Sequence, residues 1–106
     1  MYYNNGERYQ GEFKKSSKHG KGIYYYNSSD RYEGSWENDE RNGFGIYYWS
    51  NGNRYEGQHL NDKKHGIGSL FYLNGDVFLG EYKNDKKNGQ GVYEFAFSGK
   101  IEYKNI

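Results

Sequence analysis

The chain has 106 residues, a formal net charge of +1, no Cys and no Pro. That length fits one domain, so a separate catalytic domain has no room. No apolar run approaches the roughly 18 residues needed to span a bilayer, Met1-Tyr2-Tyr3-Asn4-Asn5 lacks the basic and apolar regions of a secretory leader, and the near-neutral charge gives no reason to expect nucleic-acid binding.

Without Cys there are no disulfides, and a cytoplasmic protein is the expectation. Only 33% of the residues are hydrophobic, a level that on its own suggests disorder. The 21% aromatic content argues the other way, because fourteen Tyr, six Phe and two Trp can bury much area while each Tyr keeps a hydroxyl for water. The chain is therefore expected to fold around thin aromatic stacks.

A 23-residue period organises everything that follows. Tyr9, Tyr32, Tyr55, Phe78 and Ile101 are 23 residues apart, and Gly11, Gly34, Gly57 and Gly80 follow the first four by two residues. Gly20 and Gly22, Gly43 and Gly45, Gly66 and Gly68, and Gly89 and Gly91 complete the pattern, with Gly6, Gly52 and Gly75 in a further register and Gly99 out of phase by one residue. The chain thus divides into a partial unit 1–8, full units 9–31, 32–54, 55–77 and 78–100, and a partial or capping unit 101–106, where Tyr103 stands at an expected Gly.

In chain order, each unit reads as two short strands. The first, such as Tyr32-Glu33-Gly34-Ser35-Trp36, alternates with period 2. The second, such as Phe44-Gly45-Ile46-Tyr47-Tyr48-Trp49, is rich in β-branched and aromatic residues. Asn38-Asp39-Glu40-Arg41-Asn42-Gly43 between them reads as a polar loop. Asn5-Gly6, Asn51-Gly52 and Asn74-Gly75 read as two-residue type I′ turns, and Asn27-Ser28-Ser29-Asp30 as a longer, looser one. Counting outward from Asn51-Gly52 pairs Tyr48 with Tyr55, Ile46 with Gly57 and Phe44 with His59. The next hairpin pairs Phe71 with Phe78, Ser69 with Gly80 and Ile67 with Tyr82, so that each Gly faces a side chain, and Gly57 the large Ile46.

The pattern Tyr-Glu-Gly-x-Trp, then His-Gly-x-Gly-x-Tyr, then Asn-Gly resembles the MORN repeat family. Tyr9, Gly11, Phe13, His19, Gly20, Gly22 and Tyr24 carry it in the first unit. Departures are His59 at the Trp or Phe position, Asn42 and Asn88 at the His position, Phe78 for Tyr and Leu79 for Glu. The resemblance implies an all-β fold, an elongated single-layer twisted antiparallel sheet of tandem β-hairpins with aromatics stacked in a groove. It also implies a non-catalytic scaffold or adaptor, as in membrane-tethering junctophilins, axonemal radial-spoke proteins and cytoskeletal ring scaffolds, and hence a cytoplasmic, cytoskeletal or axonemal setting. Where such repeats accompany kinases or methyltransferases, catalysis belongs to another domain.

No chemistry competes with that reading. His19 and His65 occupy equivalent places two units apart, about 19 Å at strand spacing, too far to share a metal. With no Cys, neither a metal site nor a cofactor is expected. Each Gly-x-Gly runs into a strand and not into the helix a phosphate loop needs. The expected partner is another protein segment, helical or extended, or a second copy of the chain. Tyr9, Phe13, Tyr32, Trp36, Tyr55, His59, Phe78 and Tyr82 are the candidate groove residues, since an exposed aromatic row marks an interface. The alternatives are a regulatory module of a larger enzyme, or a peripheral membrane module. For the membrane module, the loops 14–21, 37–44, 60–67 and 83–90 hold ten of the fifteen basic residues and five of the fourteen acidic ones. Lys14, Lys15, Lys18, Lys21, Lys83, Lys86 and Lys87 could then meet anionic headgroups.

Overall fold

The computed structural model describes residues 1–105. Nine strands form one open antiparallel sheet in sequence order, with dimensions of 47 × 24 × 17 Å. They are β1 (Arg8–Lys14), β2 (Ser17–Tyr25), β3 (Arg31–Glu37), β4 (Glu40–Tyr48), β5 (Arg54–Leu60), β6 (Lys63–Phe71), β7 (Val77–Lys83), β8 (Lys86–Glu94) and β9 (Ile101–Asn105). The described residues contain no helix, and the tandem-hairpin architecture is the one expected.

Two kinds of turn alternate, and they exchange the roles expected of them. The type I′ turns are Lys15-Ser16, Asn38-Asp39, Asn61-Asp62 and Asn84-Asp85, where both central residues have positive φ. Asn and Asp tolerate that conformation because a short polar side chain can bond locally. What looked like polar loops are therefore two-residue turns joining long strands. The Asn-Gly sites are three-residue turns: Trp49 N–H donates to Asn53 O (2.9 Å) and Gly52 N–H to Trp49 O (3.0 Å). Here only Gly52, at φ 97°, is left-handed. Residues 27–29 form the same turn, with Ser29 at φ 74° in the glycine's place, so that connection is not longer. The last turn is longer by one residue, since Phe95 N–H reaches Lys100 O (2.8 Å).

The extra turn residue moves the register by one from the sequence count. Tyr47 faces Tyr55, Gly45 faces Gly57 and Gly43 faces His59, while Leu70 faces Phe78, Gly68 faces Gly80 and Gly66 faces Tyr82. Glycines thus pair with glycines and not with bulky residues. Gly11, Gly22, Gly34, Gly45, Gly57, Gly68, Gly80 and Gly91 make one unbroken row across eight strands. The cause is packing: each first-strand ring lies across this row, and a Cβ on Gly45 would stand 2.1 Å from the Tyr32 hydroxyl oxygen.

A break in register before Phe13, Trp36 and His59 leaves Glu12, Ser35 and Gln58 without a partner on the second strand of their own hairpin. Their carbonyls are satisfied by the phenols that cross the glycine row: Tyr9 to Glu12, Tyr32 to Ser35 and Tyr55 to Gln58, each at 2.9 Å. This explains Tyr at these positions, since a partly buried carbonyl that its hairpin partner does not reach gains a donor there. The core is thin and divided. Tyr9, Tyr32 and Trp36 form one buried cluster, Tyr55, Phe78 and Tyr82 the other, and His59 stands between them.

Residues 1–3 cover the outer edge of β1. Tyr9 N–H donates to Met1 O (2.9 Å) and the terminal ammonium to Tyr9 O (2.7 Å). An unpaired edge strand otherwise invites association.

Candidate binding face

The eight candidate groove residues do align on one face, as a continuous zigzag of edge-to-face rings. The order is Phe13, Tyr9, Trp36, Tyr32, His59, Tyr55, Tyr82, Phe78, with centroids 5.0, 5.5, 5.1, 4.9, 5.2, 5.2 and 6.1 Å apart. Such geometry contributes about 0.5–1.5 kcal/mol per pair beyond burial. The row is not an exposed groove, however. Seven of the eight are 5% exposed or less, and only Phe13, at 42%, meets solvent substantially. Neighbouring units close over each ring, so these residues set the geometry of the face and form little of its surface.

The surface belongs to second-strand and turn residues that the sequence reading passed over. Tyr24, Tyr26, Tyr47, Trp49, Leu70, Tyr72 and Tyr93 are half-buried and pack over the two clusters. Opposite them runs a column of cations, Lys18, Arg41, Lys64 and Lys87, each lying over aromatic rings. Lys18 Nζ is 5.3 Å from the Trp36 centroid, Arg41 5.1 Å from Tyr47, Lys64 5.4 Å from Trp49 and Lys87 4.4 Å from Phe78. Their 23-residue spacing is plain in the sequence and could have revealed them; grouping the lysines by loop hid it.

Aspartates of the type I′ turns tie this column to the next unit. Asp39, Asp62 and Asp85 each accept the backbone N–H of Lys18, Arg41 and Lys64 at 2.8 Å. Each also pairs with that residue's side chain, at 3.4, 3.5 and 3.4 Å. The Lys18 backbone N–H and then its charge hold the Asp39 carboxyl below its ordinary range. Of the seven lysines expected on a basic edge, Lys18 and Lys87 are turned inward over rings, and Lys87 donates to the hydroxyls of Tyr72 and Tyr93. Lys21 donates to Ser35 Oγ (2.8 Å), and Lys14, Lys15, Lys83 and Lys86 are exposed.

The opposite margin is locked by a second repeated device. Glu7 accepts from the Tyr24 hydroxyl (2.6 Å) and from Asn27 N–H (3.2 Å). One unit on, Asp30 accepts from the Tyr47 hydroxyl and from Ser50 N–H, both at 2.9 Å. Burial, and then the facing carboxylate, raises both phenols, so they remain donors.

Between the two margins lie three bays at the repeat spacing. The first, about 360 Å³, is framed by Lys18, Tyr24, Trp36 and Asp39. The second, about 310 Å³, is framed by the equivalent Arg41, Tyr47, His59 and Asp62, and the third, about 490 Å³, by Lys64, Leu70, Tyr82 and Asp85. At the second, burial and then the Arg41 charge push His59 down to about 4, so its ring is neutral near pH 7.

The model of the MORN repeat matches four consecutive segments, 9–31, 32–54, 55–77 and 78–96. Comparison with curated proteins finds no match. The hairpin period, the continuous glycine row and four matched repeats covering most of the chain lead to one conclusion: this chain belongs to the MORN repeat family.

Proposed function

We propose that the array is a non-catalytic binding module that takes a segment of another protein along its bays. The observation that carries this reading is their regular recurrence, each with an aromatic wall, a cation held over a ring and a partly exposed carboxylate. Successive units advance about 10 Å, two strand spacings, so three bays serve an extended peptide of about nine residues or a helix of about twenty. Buried first-strand rings give the face rigidity, and contact passes to Tyr47 and Trp49 above them, residue types that dominate hot spots. A scaffold role beside the cytoskeleton in the cytoplasm is part of the same proposal.

The test is cross-linking capture from cells with the parent chain and with Tyr47→Ser and Trp49→Ser variants of matched melting temperature. Loss of the same partner in both variants supports the reading. Undiminished capture by both places the interface elsewhere.

A second reading rests on Lys14, Lys15, Lys83 and Lys86, which stand exposed at the tips of the first and last hairpins. Anionic vesicles would be met there, with Glu37 and Glu40 interrupting the stripe. Vesicle binding that falls with salt and disappears on replacing Lys14 and Lys15 together would favour it. No binding at low salt removes it.

A further inference from the structure

The reverse face of the sheet, turned away from the bays, changes character along the array. Its outer row, next to the three-residue turns, begins Arg8, Tyr25, Arg31, Tyr48 and Arg54, each paired with the next across the strands. The guanidiniums of Arg8, Arg31 and Arg54 lie over Tyr25, Tyr48 and Phe71, so that charge covers the rings. Glu33 and Glu56, in the row beside it, pair with Arg31 and Arg54. Beyond Phe71 the outer row continues as Val77, Glu94 and Ile101, and its neighbour as Leu79, Val92 and Tyr103. Those side chains lie open to water. Ile67, Leu79, Ile101 and Tyr103 are 57, 48, 53 and 83% exposed, and half-buried Phe71, Val77 and Val92 join them into one apolar surface. Such a surface marks a contact site.

The charges beside this patch identify what covers it. Arg54 stands one strand before Phe71 in the outer row, and Glu94 one strand after Val77. The two are therefore equally far from the line between β6 and β7, with opposite signs. A second copy, turned about a two-fold axis along that line, sets β6 against β7, β5 against β8 and β4 against β9. Phe71 then meets Val77 of the second copy, Ser69 meets Leu79, and Ile46 meets Tyr103. Arg54 meets Glu94, and each contact occurs twice. Nε of Arg54 holds Glu56 at 2.7 Å, which leaves its terminal nitrogens for Glu94. Glu94 is exposed and has no cation of its own among the described residues.

We propose that the reverse face of β4 to β9 is a self-association surface on which two copies pack back to back. Twisted sheets pack face to face about 10 Å apart with their strands crossing at about 30°, an arrangement that a two-fold axis along the mean strand direction produces. Six strands of about five residues give a footprint of roughly 29 × 17 Å on each copy. That is about 1,000 Å² in total, the lower bound for a specific interface, with apolar residues at its centre and the ion pairs at its rim. A membrane or an unrelated apolar segment gains nothing from unlike charges placed symmetrically about the patch. The bays of both copies stay open on opposite sides of the pair, in antiparallel order.

The test is sedimentation equilibrium of the full chain over a concentration series, with a melting curve for every variant. The parent is expected to dimerise in the micromolar range. Val77→Arg together with Leu79→Glu gives β7 the Arg–Glu pair that β3 and β5 carry, so this variant should melt no lower while dimerising roughly tenfold more weakly or worse. Arg54→Glu and Glu94→Arg should each weaken the dimer, and their combination should restore much of the loss, because every reversed charge then meets its opposite on the other copy. A parent that is monomeric throughout, an unchanged dimer in the β7 variant, or charge reversals whose effects add would overturn the proposal. So would a monomer that binds zwitterionic lipid vesicles and loses them in the β7 variant, since the face would then belong to a membrane.

Discussion

Units one and two and units three and four share a backbone plan but line it differently. The first pair has Trp36, whose indole N–H reaches Gly22 O at 3.1 Å, and two tyrosine–carboxylate locks. The second pair has Tyr82 with an unpartnered hydroxyl, and Leu70 and Asn53 at the third lock position, while Tyr93 and Asp76 return at the fourth. The reverse face diverges as well. There Arg31 and Arg54 lie over Tyr48 and Phe71, 3.9 and 4.0 Å from the centroids, and pair with Glu33 and Glu56. These pairs stand where units two and three begin; where unit four begins, the two positions hold Val77 and Leu79. The glycines of the row recur without exception because a Cβ on any of them collides with the crossing ring or the facing backbone, and the ring itself varies only between Tyr and Phe. Residues facing solvent are free to change, so the array can specialise along its length without altering its frame.

The comparison can be broken at its common frame first. Gly45→Val drives a side chain into Tyr32 and should cost about 3 kcal/mol or more, a large share of the stability of an ordinary domain. Gly99→Val meets no atom within 4 Å and carries only the strain of φ 65°, about 1–2 kcal/mol. Equal midpoints in denaturant for the two variants would refute the register given above.

Trp36→Ala should cost about 3–5 kcal/mol and His59→Ala distinctly less, because the indole brings more buried area and a satisfied N–H. A larger loss at His59 would mean that the junction, and not the first cluster, dominates stability.

The junction has its own signature. His59 titrates near 4 when folded and near 6.5 when unfolded, so the unfolded chain binds the extra proton between those values. Its contribution is complete above about pH 6.5 and is lost as the pH falls to 4 and below, a loss of about 3 kcal/mol. His59→Tyr, the residue type of unit four, should flatten stability across that window. Glu7, held low first by the Tyr24 hydrogen bond, adds its loss at more acid pH in both proteins. An identical slope in the parent and the variant would show that His59 is not the group responsible.

The smallest effect concerns the aspartate ties. Asp62→Asn keeps an acceptor for Arg41 N–H and should cost a few tenths of a kcal/mol, whereas Asp62→Ala should cost about 1 kcal/mol. Thermal melts of the two variants in low and high salt separate the hydrogen bond from the charge.

Most of the frame was legible in the sequence, because Gly45 and its equivalents recur where only glycine fits and Tyr32 recurs where the ring crosses them. The register was not, since Asn51-Gly52 serves a type I′ turn and a three-residue turn equally well, and one residue separates the two. Asn61-Asp62 carried the type I′ signal unnoticed because charged neighbours made it look like a loop. Burial of the Tyr9 row could not be read from residue type, as a tyrosine that satisfies a bulged carbonyl and one that faces water are spelled alike. The cation column was readable from its spacing, and its seat above the rings came only from the fold.

The turn at 96–99 carries one residue more than its equivalents. Alternation along a strand has two phases, and a single added residue exchanges them. Beyond that turn Glu102 pairs with Tyr93 where Ile101 was expected, and Tyr103 shares the reverse face with Val92. Gly91 correspondingly meets Lys104, and the glycine row stops at β8, as it would with Tyr103 in that place. The insertion therefore works as punctuation: it puts a carboxylate at the place Ile101 would hold, and any strand laid against β9 would inherit the exchanged phase.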